Sequence, residues 1–279
     1  EDAVAVRGRS RVLLGAAPGV GKTYAMLDEG KHLRAGGSDV VIAVVETHGR
    51  AATAAMTEGM EVVPRHYVEC RGIELPEMDL DEVLARHPDV ALVDELAHTN
   101  APGSRNEKRW QDVEELLEAG IDVISTVNIQ HIESLNDVVE QITGVPQRET
   151  VPDTVLRRAS QVEVVDLAPQ ALRDRLSSGK VYPAERIDAA LSNYFRLGNL
   201  TALRELALLW VADEVDHALA DYRSEHGIDS RWEARERVVV ALTGGREGET
   251  LLRRGARIAV RAGGGDLLAV HVTTEDGLR

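Results

Sequence analysis

Residues 15–23 read Gly-Ala-Ala-Pro-Gly-Val-Gly-Lys-Thr, a run that joins flexible backbone to one long cation and one hydroxyl. Gly19 and Gly21 permit positive φ angles, which turn successive backbone N–H groups toward one point. Lys22 adds a charge that reaches the outer phosphates, and Thr23 offers a hydroxyl to magnesium. Such a Walker A loop captures a purine nucleoside triphosphate with its metal, so ATP and Mg are the expected cofactors. The expected contacts are Gly15, Ala16, Ala17, Pro18, Gly19, Val20, Gly21, Lys22, Thr23 and Tyr24. In the strict G-x4-G-K-T spacing the first glycine falls on position 16, which is Ala16 here. The bland alternative is a tight turn without a ligand. Against it stand the strand-like run before the loop and the helical pattern after it, which the motif requires.

A magnesium–triphosphate centre also needs an acid at the end of a nearby apolar strand. Val90-Ala91-Leu92-Val93-Asp94-Glu95 supplies two. Asp94 is the candidate metal-shell residue beside Thr23. Glu95, with Lys22, is the candidate catalytic residue, placed to polarise a nucleophile; either acid could instead cap the next segment. Candidates for the γ-phosphate are Arg50, in the segment Glu46-Thr47-His48-Gly49-Arg50; Arg105, Lys108 and Arg109, in the polar loop 100–109; and Asn128 and Gln130, after another apolar run. The alternative for each is a solvated loop. Leu96–Pro102 resembles the phosphoacceptor box of sensor histidine kinases, yet it leaves a strand instead of lying in a long dimerisation helix. His98 is therefore not assigned as a phosphoacceptor. The nine histidines show no paired metal spacing such as H-E-x-x-H.

These residues need a scaffold that gathers them. Residues 11–15 are a short apolar run ending in Gly15, and 39–45, 90–93 and 121–127 are continuous apolar runs rich in β-branched side chains, as expected of strands covered on both faces of a parallel sheet. Helical patterns separate them at Lys22–Leu33, Leu80–Arg86 and Lys108–Ala119, and another follows at Ile132–Ile142. Alternation of this kind predicts an α/β fold with helices on both faces of a parallel sheet. Its ligands bind at the carboxyl ends of the strands, where every motif above falls. A further strand at Val162–Leu167 and a helix from Pro169 to Leu176 carry a P-loop NTPase-like domain over 1–182. A helical coda and linker follow over 183–236, helical from Glu185 to Arg223, with a break at Gly198-Asn199 before an amphipathic stretch, Leu200–Tyr222. Residues 237–279 read as strand Arg237–Leu242, helix Glu249–Ala262, a Gly264-Gly265 turn and strand Leu267–Val272. One such βαβ unit is too small to bury its own sheet.

At 279 residues with 43% hydrophobic residues, the chain can bury one substantial core and part of another. A formal charge of −15 and the lack of a basic stripe argue against nucleic acid as a partner. Residues 237–279 alone lean basic, with seven Arg against five acids. The single cysteine, Cys70, excludes an internal disulfide and fits a reducing compartment. No apolar run approaches the roughly 18–20 residues needed to cross a bilayer. Starting without Met and stopping just after a strand-like run, the sequence reads as a soluble piece of a longer protein.

GAAPGVGKT, VVETHGR, LVDELAHTNAPGSRNEKRWQD, GIDVISTVNIQHIESLND and GNLTALRELAL occur in that order over roughly residues 9–225. Together they resemble the KdpD-type osmosensitive potassium sensor histidine kinases. The resemblance implies a sensor region at the cytoplasmic face of the plasma membrane. Its partners would be the histidine-kinase core of the same parent protein and, through that core, a response regulator controlling potassium uptake; a homodimer is also a candidate. It further implies that 237–279 open a universal-stress-protein-like domain, whose cyclic dinucleotide site needs residues beyond Arg279. Two functions are then expected: regulation by ATP occupancy, or a P-loop ATPase or phosphotransferase acting on a partner protein's hydroxyl.

Overall fold

The structure is a computed structural model that describes residues 6–70, 72–178, 191, 194–227, 238–242, 247–261 and 267–271. Strand β1 (Ser10–Gly15) runs through the glycine loop into α1 (Lys22–Ala35). There follow β2 (Val40–Val44), α2 (Ala51–Thr57), β3 (Glu61–Val62), β4 (His66–Cys70), β5 (Ile73–Glu77), α3 (Leu80–Arg86), β6 (Val90–Val93), α4 (Arg109–Glu118) and β7 (Asp122–Asn128). Two 3-10 turns lead to α5 (Asn136–Thr143), then α6 (Asp153–Arg157), β8 (Gln161–Val165), α7 (Pro169–Ser177) and α8 (Leu197–Glu225). The last described elements are β9 (Val238–Leu242), α9 (Gly248–Arg261) and β10 (Leu267–His271).

Six strands form one sheet in the order β3-β2-β6-β7-β1-β8, every pair parallel. Side chains alternate across a strand, and here both faces are apolar. Leu13, Ile42, Leu92 and Ile124 pack on one side against Met26 and Leu27 of α1. Leu14, Val41, Val93 and Val123 pack on the other against Val113 and Leu116 of α4 and Leu203, Ala207 and Trp210 of α8. The helical spacing of those last three residues explains why α8 joins this core. The expected α/β fold with helices on both faces is thus the observed one. The antiparallel hairpin of β4 and β5 stands apart from this sheet.

Three local expectations change. The helix expected from Ile132 starts at Asn136, because Ile132 is buried and bridges Val151 while its N–H bonds to the Ile129 carbonyl. The helix break expected at Gly198-Asn199 falls just before them: residues 194–195 form a turn, and α8 starts at Leu197. Residues 51–77, without an expected element, contain α2 and three short strands.

The chain divides into two units, 1–217 and 218–279, and the division falls within α8. In the second unit β9 and β10 pair in parallel with α9 between them, and Gly255 of α9 meets Val240 so closely that a Cβ would lie 2.5 Å from its Cγ2. All five residues of β10 are exposed. The expected boundaries at 182/183 and 236/237, the helix start at Glu185, Arg237, the Gly264-Gly265 turn and Val272 lie outside the described residues.

Candidate functional site

The glycine loop folds tightly over the end of β1. A Cβ on Gly15 would stand 2.6 Å from Val20 Cγ2 and 2.9 Å from Lys22 Cδ, so only glycine fits beneath the loop. Gly19 (φ 91°) and Gly21 (φ 112°) both occupy the left-handed region. Gly21 leads directly into α1, whose N-terminus has neither a side-chain cap nor an acid in its first turn. Its N–H groups and helix dipole remain available to an anion. Ala17 and Val20 point away from that side, into a cluster with Leu172 and Leu176 of α7 and with Phe195 and Leu200.

Strand order brings the chemistry together. Because β7 lies between β1 and β6, Asn128 at its carboxyl end falls between the loop and the acids. Lys22 donates to Asn128 Oδ1. The Thr23 hydroxyl lies 3.1 Å from Asp94 Oδ2, and Asp94 also accepts from Thr126 Oγ1 at 2.5 Å and from the backbone N–H groups of Glu46 and Glu95. Asp94 is 1% exposed, and this burial raises its pKa against the hydrogen bond from Thr126. Burial likewise lowers the Lys22 ammonium to about 8, with the charge of Arg50 adding to it and Asp94 opposing. A phosphate beside Lys22 would supply opposite charge and favour the ammonium form.

Glu95 sits at φ 56° and His48 at φ 48°, two non-glycine residues in the left-handed region, at a strain of roughly 1–3 kcal/mol each. Their side chains meet, His48 Nε2 lying 2.9 Å from Glu95 Oε1. Burial works to raise the Glu95 pKa, but the bond to His48 and the charges around it prevail, so it is lowered; that same bond raises His48.

One cleft is lined by Pro18, Gly19, Lys22, Thr23, Arg50, Asp94, Glu95 and Asn128. Arg50 brings to it a buried Nε without a hydrogen-bond partner. The structure does not gather Arg105, Lys108, Arg109 or Gln130 there. Arg105 pairs with Asp81 and Glu115, and Lys108 donates to Thr99 Oγ1 at 2.7 Å. Arg109, 1% exposed, braces the site from beneath by donating to the Asp94 carbonyl at 3.1 Å and pairing with Glu77 at 3.4 Å. Gln130 bonds Gln147 and Tyr194. Thr126, His98, His131 and Glu149 also line the cleft, unanticipated as site residues. For Thr126 there was a signal, a hydroxyl inside an otherwise apolar strand. For Glu149, far along the chain, there was none.

A sequence model of the osmosensitive K+ channel His kinase sensor domain, KdpD, matches residues 6–215. The chain belongs to the KdpD family. A KdpD sensor protein of Mycobacterium tuberculosis is 64% identical over 278 residues, which is all of this chain and 32% of that protein. One from Rathayibacter rathayi is 68% identical over 269 residues, 96% of this chain and 31% of its own. That of Escherichia coli K12 is 53% identical over 257 residues, 92% and 29%. The chain therefore spans about a third of the length of these KdpD relatives. The family match ends at residue 215, within α8.

Proposed function

We propose that residues 6–217 form an ATP-binding regulatory module of a KdpD-type sensor histidine kinase. The observation that carries this reading is the preformed cluster of Lys22, Thr23, Asp94 and Asn128 beside a loop that leads into a helix N-terminus without a side-chain cap. The residues present fit a magnesium-bound triphosphate: Thr23 and Asp94 would hold the metal, and Lys22 and the loop the phosphates. The remaining ligands would be phosphate oxygens and water, as is usual for magnesium held by few protein groups. When bound, the metal neutralises phosphate charge. Lys22 would leave Asn128 for phosphate oxygens, and Thr23 would turn its hydroxyl from Asp94 to the metal.

Occupancy would then bias the conformation of the loop and α8, and through them the kinase core of a longer protein at the cytoplasmic face of the membrane. That core would act on a response regulator for potassium uptake. Homodimerisation belongs to the same reading, as does a cyclic dinucleotide site in a completed second domain. Titration calorimetry tests it: Mg·ATP binds the intact chain, and Lys22→Ala abolishes binding. Equal binding by that variant would sink the reading.

A second reading, hydrolysis or transfer to a partner protein's hydroxyl, is favoured by Glu95, which lines the cleft beside Asp94. Glu95→Gln would retain ATP binding and lose phosphate release. Release at the background rate in the unaltered chain would leave regulation alone standing.

A further inference from the structure

In a chain of net charge −15, several cations are held by carboxylates. Arg86 is held by Asp39 and Glu61, and Arg204 by Asp166. Arg175 on α7 has no ion-pair partner among the described residues. Its guanidinium instead donates from Nη1 to the carbonyl of Gly19, at 3.0 Å, in the middle of the glycine loop. It also overhangs Gly21, where a Cβ would lie 3.7 Å from the same nitrogen.

Packing fixes this position. Leu172 and Leu176, one turn apart on α7, are buried against Ala17 and Val20 of the loop itself. Arg173 anchors the helix elsewhere, donating to the Phe195 carbonyl at 2.6 Å. The aliphatic contacts hold α7 on the loop, while Arg175 remains exposed and uses one of its five N–H donors on a neutral acceptor. An anionic oxygen would add a charge–charge attraction that the neutral carbonyl lacks.

Sheet order says which part of a nucleotide it meets. Asp94, Glu95 and Arg50 follow β6 and β2, on one side of β1, whereas α7 follows β8, on the other. A triphosphate on the loop with its γ end at Asp94 and Glu95 directs its α-phosphate and nucleoside toward α7. Resting on the ATP reading above, we propose that Arg175 is a nucleotide-binding residue that contacts the α-phosphate end, shared by triphosphate and diphosphate. Through Arg173 the same helix ties that contact to the residues just before α8.

The test is calorimetry of Mg·ATP and Mg·ADP on the full chain, on Arg175→Gln, Arg175→Lys and Lys22→Ala. Loss of a charge-assisted bond predicts that Arg175→Gln weakens ATP and ADP alike, by about tenfold, that Arg175→Lys recovers part of it, and that the nucleotide-free Tm is unchanged. Wild-type affinity for both nucleotides in Arg175→Gln overturns the proposal. So does loss of ATP affinity with ADP unaffected, or a fall in the nucleotide-free Tm that accounts for the weakening. If the unaltered chain binds neither nucleotide better than Lys22→Ala does, the ATP reading itself falls and takes this one with it.

Discussion

Lys22 is the residue on which most depends, and its proton makes it measurable. Its pKa of 10.5 in the unfolded chain drops to about 8 in the fold. Between those values the unfolded chain holds a proton that the folded chain has released, so stability without nucleotide rises with pH across that window. Lys22→Met should flatten the rise in denaturation curves taken from pH 8 to 10.5. A bound phosphate restores the proton, so calorimetry above pH 8 in buffers of different ionisation heat should show proton uptake that vanishes well below it. The His48–Glu95 pair titrates with two opposite signs. His48, raised from 6.5, contributes below 6.5 and loses its contribution as pH climbs through its raised pKa. Glu95, lowered from 4.5, contributes above 4.5 and loses its contribution as pH falls through its lowered pKa. Both side chains are 40–49% exposed, so solvent screening keeps the stability effect below about 1 kcal/mol. The clearer readout is turnover under the second reading: phosphate release should increase as His48 deprotonates above pH 6.5, and His48→Gln should remove that limb of the profile. Lys22, Thr23, Asp94 and Asn128 were legible from motif spacing and strand ends. Arg109 was expected at the γ-phosphate, and its bracing role was not legible, because its partner Glu77 lies 32 positions upstream, on a hairpin without a sequence signal.

At the scale of elements, strand, loop and α1 act as one piece with two distinct glycine constraints. Gly15 underlies the loop, so Gly15→Ala pushes Val20 and Lys22 outward; nucleotide affinity should fall at least tenfold while the Tm changes little. Gly30 lies on α1 where it crosses the sheet, and a Cβ there would stand 2.5 Å from Leu92 Cδ1. Gly30→Ala overpacks a core that excludes solvent, a change that costs about 1–3 kcal/mol, and should lower the Tm with affinity retained. Affinity and melting measurements on the two variants separate them. The buried strands β6 and β7 were legible within a residue of their ends because solid β-branched runs have few alternatives. β3, β4 and β5 were not: they are short, with mixed polarity, and pairing with neighbours rather than local pattern decides them.

For the molecule as a whole, ligand linkage should separate the two units. ATP at a hundred times its Kd stabilises the unit that binds it by about 2.7 kcal/mol. Calorimetric melting should therefore show a transition for residues 1–217 that moves upward with ATP and one for 218–279 that does not. The expected divisions at 182/183 and 236/237 did not include one within α8, since a continuous helix hides a change of packing partners from the sequence. β1 pairs with β7 and β8, strands far downstream in the sequence, Arg11 meeting Ile124 and Gln161. At a translation rate of roughly 5–20 residues per second, its partners emerge about six to thirty seconds later. Until then the newborn chain carries an apolar strand edge with no neighbour, a natural substrate for a chaperone at the ribosome exit, and competence to hold phosphate should appear late and in one step, when the sixth strand arrives.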